Sequence, residues 1–381
     1  MKITLGEVGT YINGYAFKPS DWGTRGLPII RIQNLTNRNT VPNYFDGPYN
    51  PKFEVNKGDI LIAWSGSLGI HIWQKNRALL NQHIFRVEFN KCDIDKMYFY
   101  YAVKHNIHKM LHLTHGATMR HIIKSDFEQI VIPYPSLEVQ ANISKILNYL
   151  EQNIINFRNI LLKLELLIKS RFVEMFGDLN HNPLYPVVNL KNLIIGSPSN
   201  GFFASKELYD KNGKVNLVGV KEVVGHLYTN ICDTSKLDVD DSTLEKYLID
   251  YGDLLFCRSS LVQSGIAKAS IVPKLNNKSC IFECHIIKLK LDQQLCIPEF
   301  MQVQSEQTYF RNQVIKNSKT ATMTTISQQG IVDTKVLLPP VSIQEEFTKF
   351  LSQINKLKSD VQKSIDETQL LMDSLMQEYF G

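Results

Sequence analysis

No apolar run in the sequence approaches the 18 residues or so that a membrane span needs, so no transmembrane segment is expected. The opening residues, Met1-Lys2-Ile3-Thr4-Leu5-Gly6-Glu7, lack an apolar h-region, and no signal peptide is expected. Cysteine is sparse. Of six, Cys92 stands alone in the first half, and Cys232, Cys257, Cys280, Cys284 and Cys296 follow without a dense disulfide framework. That usage fits reduced thiols in a cytoplasmic protein. Cys280-x3-Cys284-His285 has no second ligand pair at zinc-site spacing, so no metal site is expected.

Catalytic signatures are missing as well. No Gly-x-Gly follows a plausible first strand of a doubly wound domain, and there is no Gly-x4-Gly-Lys-[Ser/Thr] phosphate loop. No Glu-x-Lys tripeptide, the usual core of a nuclease site, occurs anywhere. Ser65-Gly66-Ser67-Leu68-Gly69 is not a Gly-x-Ser-x-Gly elbow. Asn182-Pro183-Leu184-Tyr185 departs from the Asn-Pro-Pro-Tyr of amino-methyltransferases at Leu184 and follows a helix, not a parallel strand. Asp240-Asp241 sits in a polar loop with no partner base and reads as a solvated turn. No catalytic residue is therefore assigned. A strong charge of either sign is absent too, since the net charge is +5. Its distribution is uneven: residues 1–177 carry 21 Lys and Arg against 14 Asp and Glu, and residues 178–381 carry 21 against 23. A basic first half points weakly to a polyanion.

What the chain does have is an internal repeat. At an offset of 204, Ala117-Thr118-Met119 aligns with Ala321-Thr322-Met323, Gln140 with Gln344, and Phe176-Gly177 with Phe380-Gly381. The β-rich stretches before them also match. Leu27–Ile32 aligns with Val215–Val220, Gly58-Asp59-Ile60-Leu61 with Gly252-Asp253-Leu254-Leu255, and His83–Val87 with His285–Leu289. The offset grows along the chain, so the second copy carries insertions between matched strands, as expected where connecting loops carry specific contacts. The Gly-Asp pairs read as turns before buried strands. The recurring His83 and His285 read as packing or hydrogen-bonding residues, and Trp64 as core.

Each copy ends in a long stretch free of Pro and Gly. In the first, a heptad reading places Ile143, Leu150, Phe157 and Leu164 at a, Ile146, Asn153, Ile160 and Leu167 at d, and Leu147, Ile154, Leu161 and Ile168 at e. In the second, Phe347, Ile354, Val361, Thr368 and Leu375 fall at a, and Phe350, Leu357, Ser364 and Leu371 at d. Such stripes predict helices that pair, most economically with each other. Ser342-Ile343-Gln344-Glu345 has capping-box spacing, and Ser136 can cap the first helix. The expected fold is α+β: two tandem β-rich modules, 1–135 and 178–340, each followed by a helix, 136–177 and 341–381. The helices are expected to form an antiparallel coiled coil with pseudo-twofold symmetry.

This order resembles the DNA specificity (S) subunit of type I restriction–modification systems. The residues carrying the likeness are the two Gly-Asp-[Ile/Leu]-Leu strands, the polar segments Gly116-Ala117-Thr118 and Thr320-Ala321-Thr322, and the helix starts Pro133-Tyr134-Pro135-Ser136-Leu137-Glu138-Val139-Gln140 and Pro339-Pro340-Val341-Ser342-Ile343-Gln344. The first copy splits the double proline. The second lacks the usual acid before the glutamine and lacks Gly in the polar segment. The resemblance implies a non-catalytic subunit whose two target-recognition domains each read half of a bipartite double-stranded DNA target. Its helices would set the gap and dock two methyltransferase (M) subunits, with two restriction/translocase (R) subunits joining them. No cofactor is expected on this chain. AdoMet would sit on the methyltransferase, and ATP and Mg on the nuclease. A coiled-coil adaptor or an anti-restriction DNA mimic would share the helices but would not need two loop-variable modules.

Position at strand ends, in loops and in the polar segments picks out candidate DNA contacts by residue type. In the first module these are Arg25, Arg31, Gln33, Asn34, Ser65, Ser67, Gln74, Lys75, Arg77, Thr118 and Arg120. In the second they are Lys214, Lys221, Arg258, Ser259, Ser260, Gln263, Lys268, Lys319, Thr322 and Thr324.

Overall fold

The structure, a computed structural model, describes the chain except for Arg38, residues 113–120, Lys211 and Asn277, and without the side chains of residues 108–112 and Lys206. Two compact units result. One holds Met1–Asn159 together with Val361–Gly381, and the other holds Ile160–Asp360. The two long helices, Leu137–Phe176 and Val341–Phe380, each run 40 residues and contribute one part to each unit. At ~1.5 Å per residue each is about 60 Å long.

The units are built alike. In the first, an antiparallel sheet has the order Thr10–Asn13, Ile84–Glu88, Ile60–Ala63, Gly69–Ile72. In the second the order is Ser199–Asn200, Ile286–Leu289, Leu254–Cys257, Ala269–Ile271. The interior strands Ile60–Ala63 and Leu254–Cys257 are buried at every position, which is why each reads as an unbroken apolar run rather than an alternation. The Gly-Asp turn before each has a physical reason. Gly58 and Gly252 sit at φ 93° and 85°, where an L side chain is strained. The following carboxylates, Asp59 and Asp253, accept the Asn56 and Asp250 N–H groups at 2.8 and 2.9 Å and close the turn. A second small sheet recurs too, with Leu27–Ile30 parallel to Ala78–Leu80 and Val215–Val218 parallel to Ser279–Phe282.

Gln140 and Gln344, both fully buried, tie each long helix to its own module. Gln140 accepts the Asp95 N–H at 3.0 Å and donates to the Pro135 carbonyl. Gln344 accepts the Ile297 N–H at 2.9 Å and donates to the Leu295 and Pro339 carbonyls. These bonds satisfy backbone groups just ahead of the helices Lys96–His112 and Pro298–Ser305 and of the long helices themselves, which would otherwise be orphaned. The Ser342 capping box does not form as expected: the helix already begins at Val341, which places Ser342 inside its first turn. Ser136 does accept the Val139 N–H, at a long 3.4 Å.

The far end of each helix packs on the other copy's module. In the second unit Phe176 lies 4.9 Å from Phe300 and 5.4 Å from Phe347. In the first, Phe380 lies 5.2 Å from Tyr98. Within the second unit the helices run antiparallel, since Phe172 meets Phe347 while Glu165 pairs with Lys358. The buried seam is formed by the a and e columns rather than a and d. Leu147, Ile154, Ile168, Leu351, Ile365 and Met372 are buried, whereas Ile146, Ile160, Leu167, Leu357 and Leu371 of the d columns are exposed. The reason is that a and e residues alternate at spacings of four and three, which is itself a complete apolar seam.

The six cysteines are unpaired. Burial pushes the Cys296 thiol up to about 12 and raises those of Cys257, Cys280 and Cys284, so these four are poor thiolates. No helix among the described residues is long and apolar enough to cross a membrane.

Candidate nucleic-acid interface

Asn-Gly pairs end the first strand of each main sheet. The Gly14 N–H donates to the Ile84 carbonyl and the Tyr15 N–H to the Leu80 carbonyl; Gly201 and Phe202 donate equivalently to Ile286 and Phe282. A Cβ on Gly14 would stand 2.0 Å from the Asn81 oxygen, and one on Gly201 would stand 2.2 Å from that of Glu283. The close approach therefore demands glycine in both places. Sequence reading missed this pair, although Asn13-Gly14-Tyr15 and Asn200-Gly201-Phe202 share an offset of 187. The different offset reflects the insertions between matched strands.

Beside each Asn-Gly, one residue follows the buried central strand in an identical backbone setting. The Trp64 N–H donates to the His83 carbonyl at 3.1 Å, and the Trp64 carbonyl accepts the Ile122 N–H at 3.0 Å. The Arg258 N–H donates to the His285 carbonyl at 2.7 Å, and the Arg258 carbonyl accepts the Ile326 N–H at 3.0 Å. The next residues pair alike, Ser65 with His121 and Ser259 with Thr325. The recurring histidines thus share a backbone hydrogen-bonding role. Their conformations differ, for His83 has φ 72° and packs 4.9 Å from Trp64, while His285 is exposed. Burial, followed by the neighbouring His121, holds the His83 imidazole below its usual range.

The side chains at this shared position differ completely. Trp64 is half-buried rather than core: its ring stacks on Phe85 at 5.6 Å, and its indole N–H donates to Asn13 Oδ1 at 3.1 Å. Its place at the strand's end, where the sheet opens, explains the partial exposure. Arg258 donates through Nη1 to the Cys284 carbonyl at 3.1 Å. It lines a shallow depression of about 380 Å³ with Asn200, Ser327, Gln328 and Gln329.

In the second unit the structure gathers several sequence candidates here. Ser259–Ser260, Thr324–Thr325 and Lys319–Thr320 form a three-stranded miniature sheet next to Arg258. Lys319 and Thr322 are exposed on it, and Gln263 is exposed in the turn that follows Ser260. Ser259 and Thr324 are buried, with Thr324 Oγ1 bonded to Thr320 Oγ1, so both serve the frame instead of presenting a free edge. The Lys268 side chain is held by Glu306 and lines a cavity with Glu165 and Lys358 of the long helices. Lys221 pairs with Glu222, and Lys214 is exposed before the strand Val215–Val218.

In the first unit the candidates are more scattered. Ser65 is buried and Ser67 exposed beside Trp64. Asn34 is buried; its amide accepts the Arg31 N–H and donates to the Thr40 carbonyl, which makes it a turn residue rather than a free reader. The Arg31 guanidinium lies 4.6 Å from the Trp22 ring, and Arg25 and Gln33 are exposed nearby in sequence. Gln74 and Lys75 line a cavity with Tyr100, Glu151 and Gln152, facing the long helix, and Arg77 stands 3.8 Å from Glu54. Thr118, Arg120 and the segment Gly116-Ala117-Thr118 lie outside the described residues. Among the described residues no three His, Cys, Asp or Glu side chains converge as a metal site.

Comparison with known proteins agrees with this architecture. The family described as the Type I restriction modification DNA specificity domain matches residues 1–166. The type I restriction enzyme EcoBI specificity subunit of Escherichia coli is 21% identical, over 99% of this chain and 84% of its own length. The MjaVIII specificity subunit of Methanocaldococcus jannaschii is 24% identical, over 93% of this chain and 86% of its own length. The crystal structure of a type I restriction–modification S subunit from M. genitalium shares the fold, with a TM-score of 0.58 at 14% identity over 100% of this chain and 96% of that one. A family match over residues 1–166 and likeness over nearly the whole length to specificity subunits make this chain similar to the DNA specificity subunits of type I restriction–modification systems.

Proposed function

We propose that this chain is the non-catalytic, DNA-reading subunit of a type I restriction–modification complex, with each β-rich module reading one half of a split duplex target. One observation carries the reading: the same rim recurs in both modules on the same hydrogen-bonded frame, while the side chains mounted on it differ, as two readers of different sequences require. The long helices join the modules because each ends in the other copy's core, Phe176 on Phe300 and Phe380 on Tyr98. Their exposed apolar column, including Ile160, Leu167, Leu357 and Leu371, suits docking of two methyltransferase subunits, with two restriction/translocase subunits joining them. AdoMet would then act on the methyltransferase subunits, and ATP and Mg on the nuclease subunits, all in the cytoplasm.

The test is a module exchange. Replacing residues 1–130 by the first module of another family member should change one half of the methylated motif and leave the other half intact. A change in both halves sinks the two-module reading.

A further inference from the structure

Residues 64 and 258 share one backbone position and carry opposite chemistry. In the first module the position is closed. The Trp64 ring lies on Phe85, and its only donor is taken by Asn13, so it presents an apolar face without a free polar edge. In the second module the position is open. Arg258 stands at a depression whose other lining residues are all uncharged, Pro198, Asn200, Ser327, Gln328, Gln329 and Val332. A single guanidinium held amid uncharged groups has the donor geometry that reads a guanine edge, and Lys319 on the neighbouring miniature sheet is available to phosphates. The fork is oriented here, because one of its five N–H donors is fixed on the Cys284 carbonyl. Exposed apolar side chains adjoin it in the chain: Leu261 and Val262 are 83% and 61% exposed. Such side chains suit contact with base methyl groups.

From this we infer that Arg258 is the residue that reads a guanine edge in the second half-site, with Asn200 beside it, and that the equivalent Trp64 makes the first module read a different base at the matching position. The inference rests on the DNA-reading function proposed above. The arginine supplies two parallel N–H donors to guanine O6 and N7, and the Cys284 carbonyl holds its plane. Lysine at 258 would keep the charge but lose the fork.

The experiment uses the full chain assembled with its methyltransferase partners, binding duplexes drawn from a randomised pool. Wild type should select two separated segments, with guanine required at one position of the second. Arg258→Lys should select the same first segment and gap but lose discrimination at that one position, by about 5- to 150-fold. Arg258→Ala should do the same, and the lysine variant guards against misfolding from loss of the Cys284 contact. An unchanged motif in Arg258→Ala overturns the inference, since alanine leaves no donor for the guanine edge whereas lysine keeps some. So does an equal weakening on all sequences with the motif intact, which would make Arg258 a phosphate contact. If wild type selects no split motif, the parent function fails instead, and the two failures are told apart.

Discussion

Replacing Gln344 by alanine should cost more stability than replacing Gln140, and the difference follows from bond counting. The Gln344 side chain is fully buried and serves three backbone groups: the Ile297 N–H and the Leu295 and Pro339 carbonyls. Gln140, equally buried, serves two, the Asp95 N–H and the Pro135 carbonyl. Each buried group left without a partner costs ~1–3 kcal/mol, and water entering the vacated space recovers part of it. We therefore expect a loss of about 3–4 kcal/mol for Gln344→Ala and about 2–3 for Gln140→Ala. Urea unfolding followed by far-ultraviolet circular dichroism measures both, and a typical domain stability of ~5–15 kcal/mol leaves room for the effect to be read. Losses under about 0.5 kcal/mol in both variants would refute the claim that these glutamines clamp the helices to the modules.

Three further outcomes are expected. Gly58→Ala should cost about 1–2 kcal/mol in thermal unfolding, because φ is 93° while no neighbour lies within 4 Å of the added methyl. Burial holds the Asp253 carboxyl above the usual carboxylate range, so the folded state keeps a proton that the unfolded chain has released. Stability should therefore fall as pH rises from about 4 through the raised folded value, and Asp253→Asn should flatten that slope in thermal midpoints. Deleting one heptad from each long helix preserves the seam and shortens the rod by about 10.5 Å. At ~3.4 Å per base pair, any activity that survives should then show a methylated motif with a gap about three base pairs shorter and both halves unchanged.

The repeat, the long helices and the buried Gly-Asp strands were legible because each leaves a pattern: a fixed offset, an apolar stripe, and a Gly held at positive φ. The true seam was half legible. Columns a and e were both apolar in the first helix, but so was much of d, and periodicity alone does not say which side meets a partner and which meets solvent. Around the candidate interface, Arg258, Ser260, Lys319 and Thr322 stood out in sequence by residue type and fall close together along the miniature sheet. Asn34 and Lys268 had the same residue-type appeal, yet one closes a turn and the other is held by Glu306. Those roles come from partners distant in the fold or from local turn geometry. The Asn-Gly pairs escaped notice because loop insertions shift their offset to 187, and only the matched hydrogen bonds to Ile84 and Ile286 reveal the equivalence.

The most direct test of the central claim is to map modified adenines across the genome of a host that carries this chain with its methyltransferase partners. Two similar modules joined by shared helices predict a motif of two short specific segments separated by a fixed run of unspecified bases. A continuous motif, or methylation without sequence preference, would contradict the account.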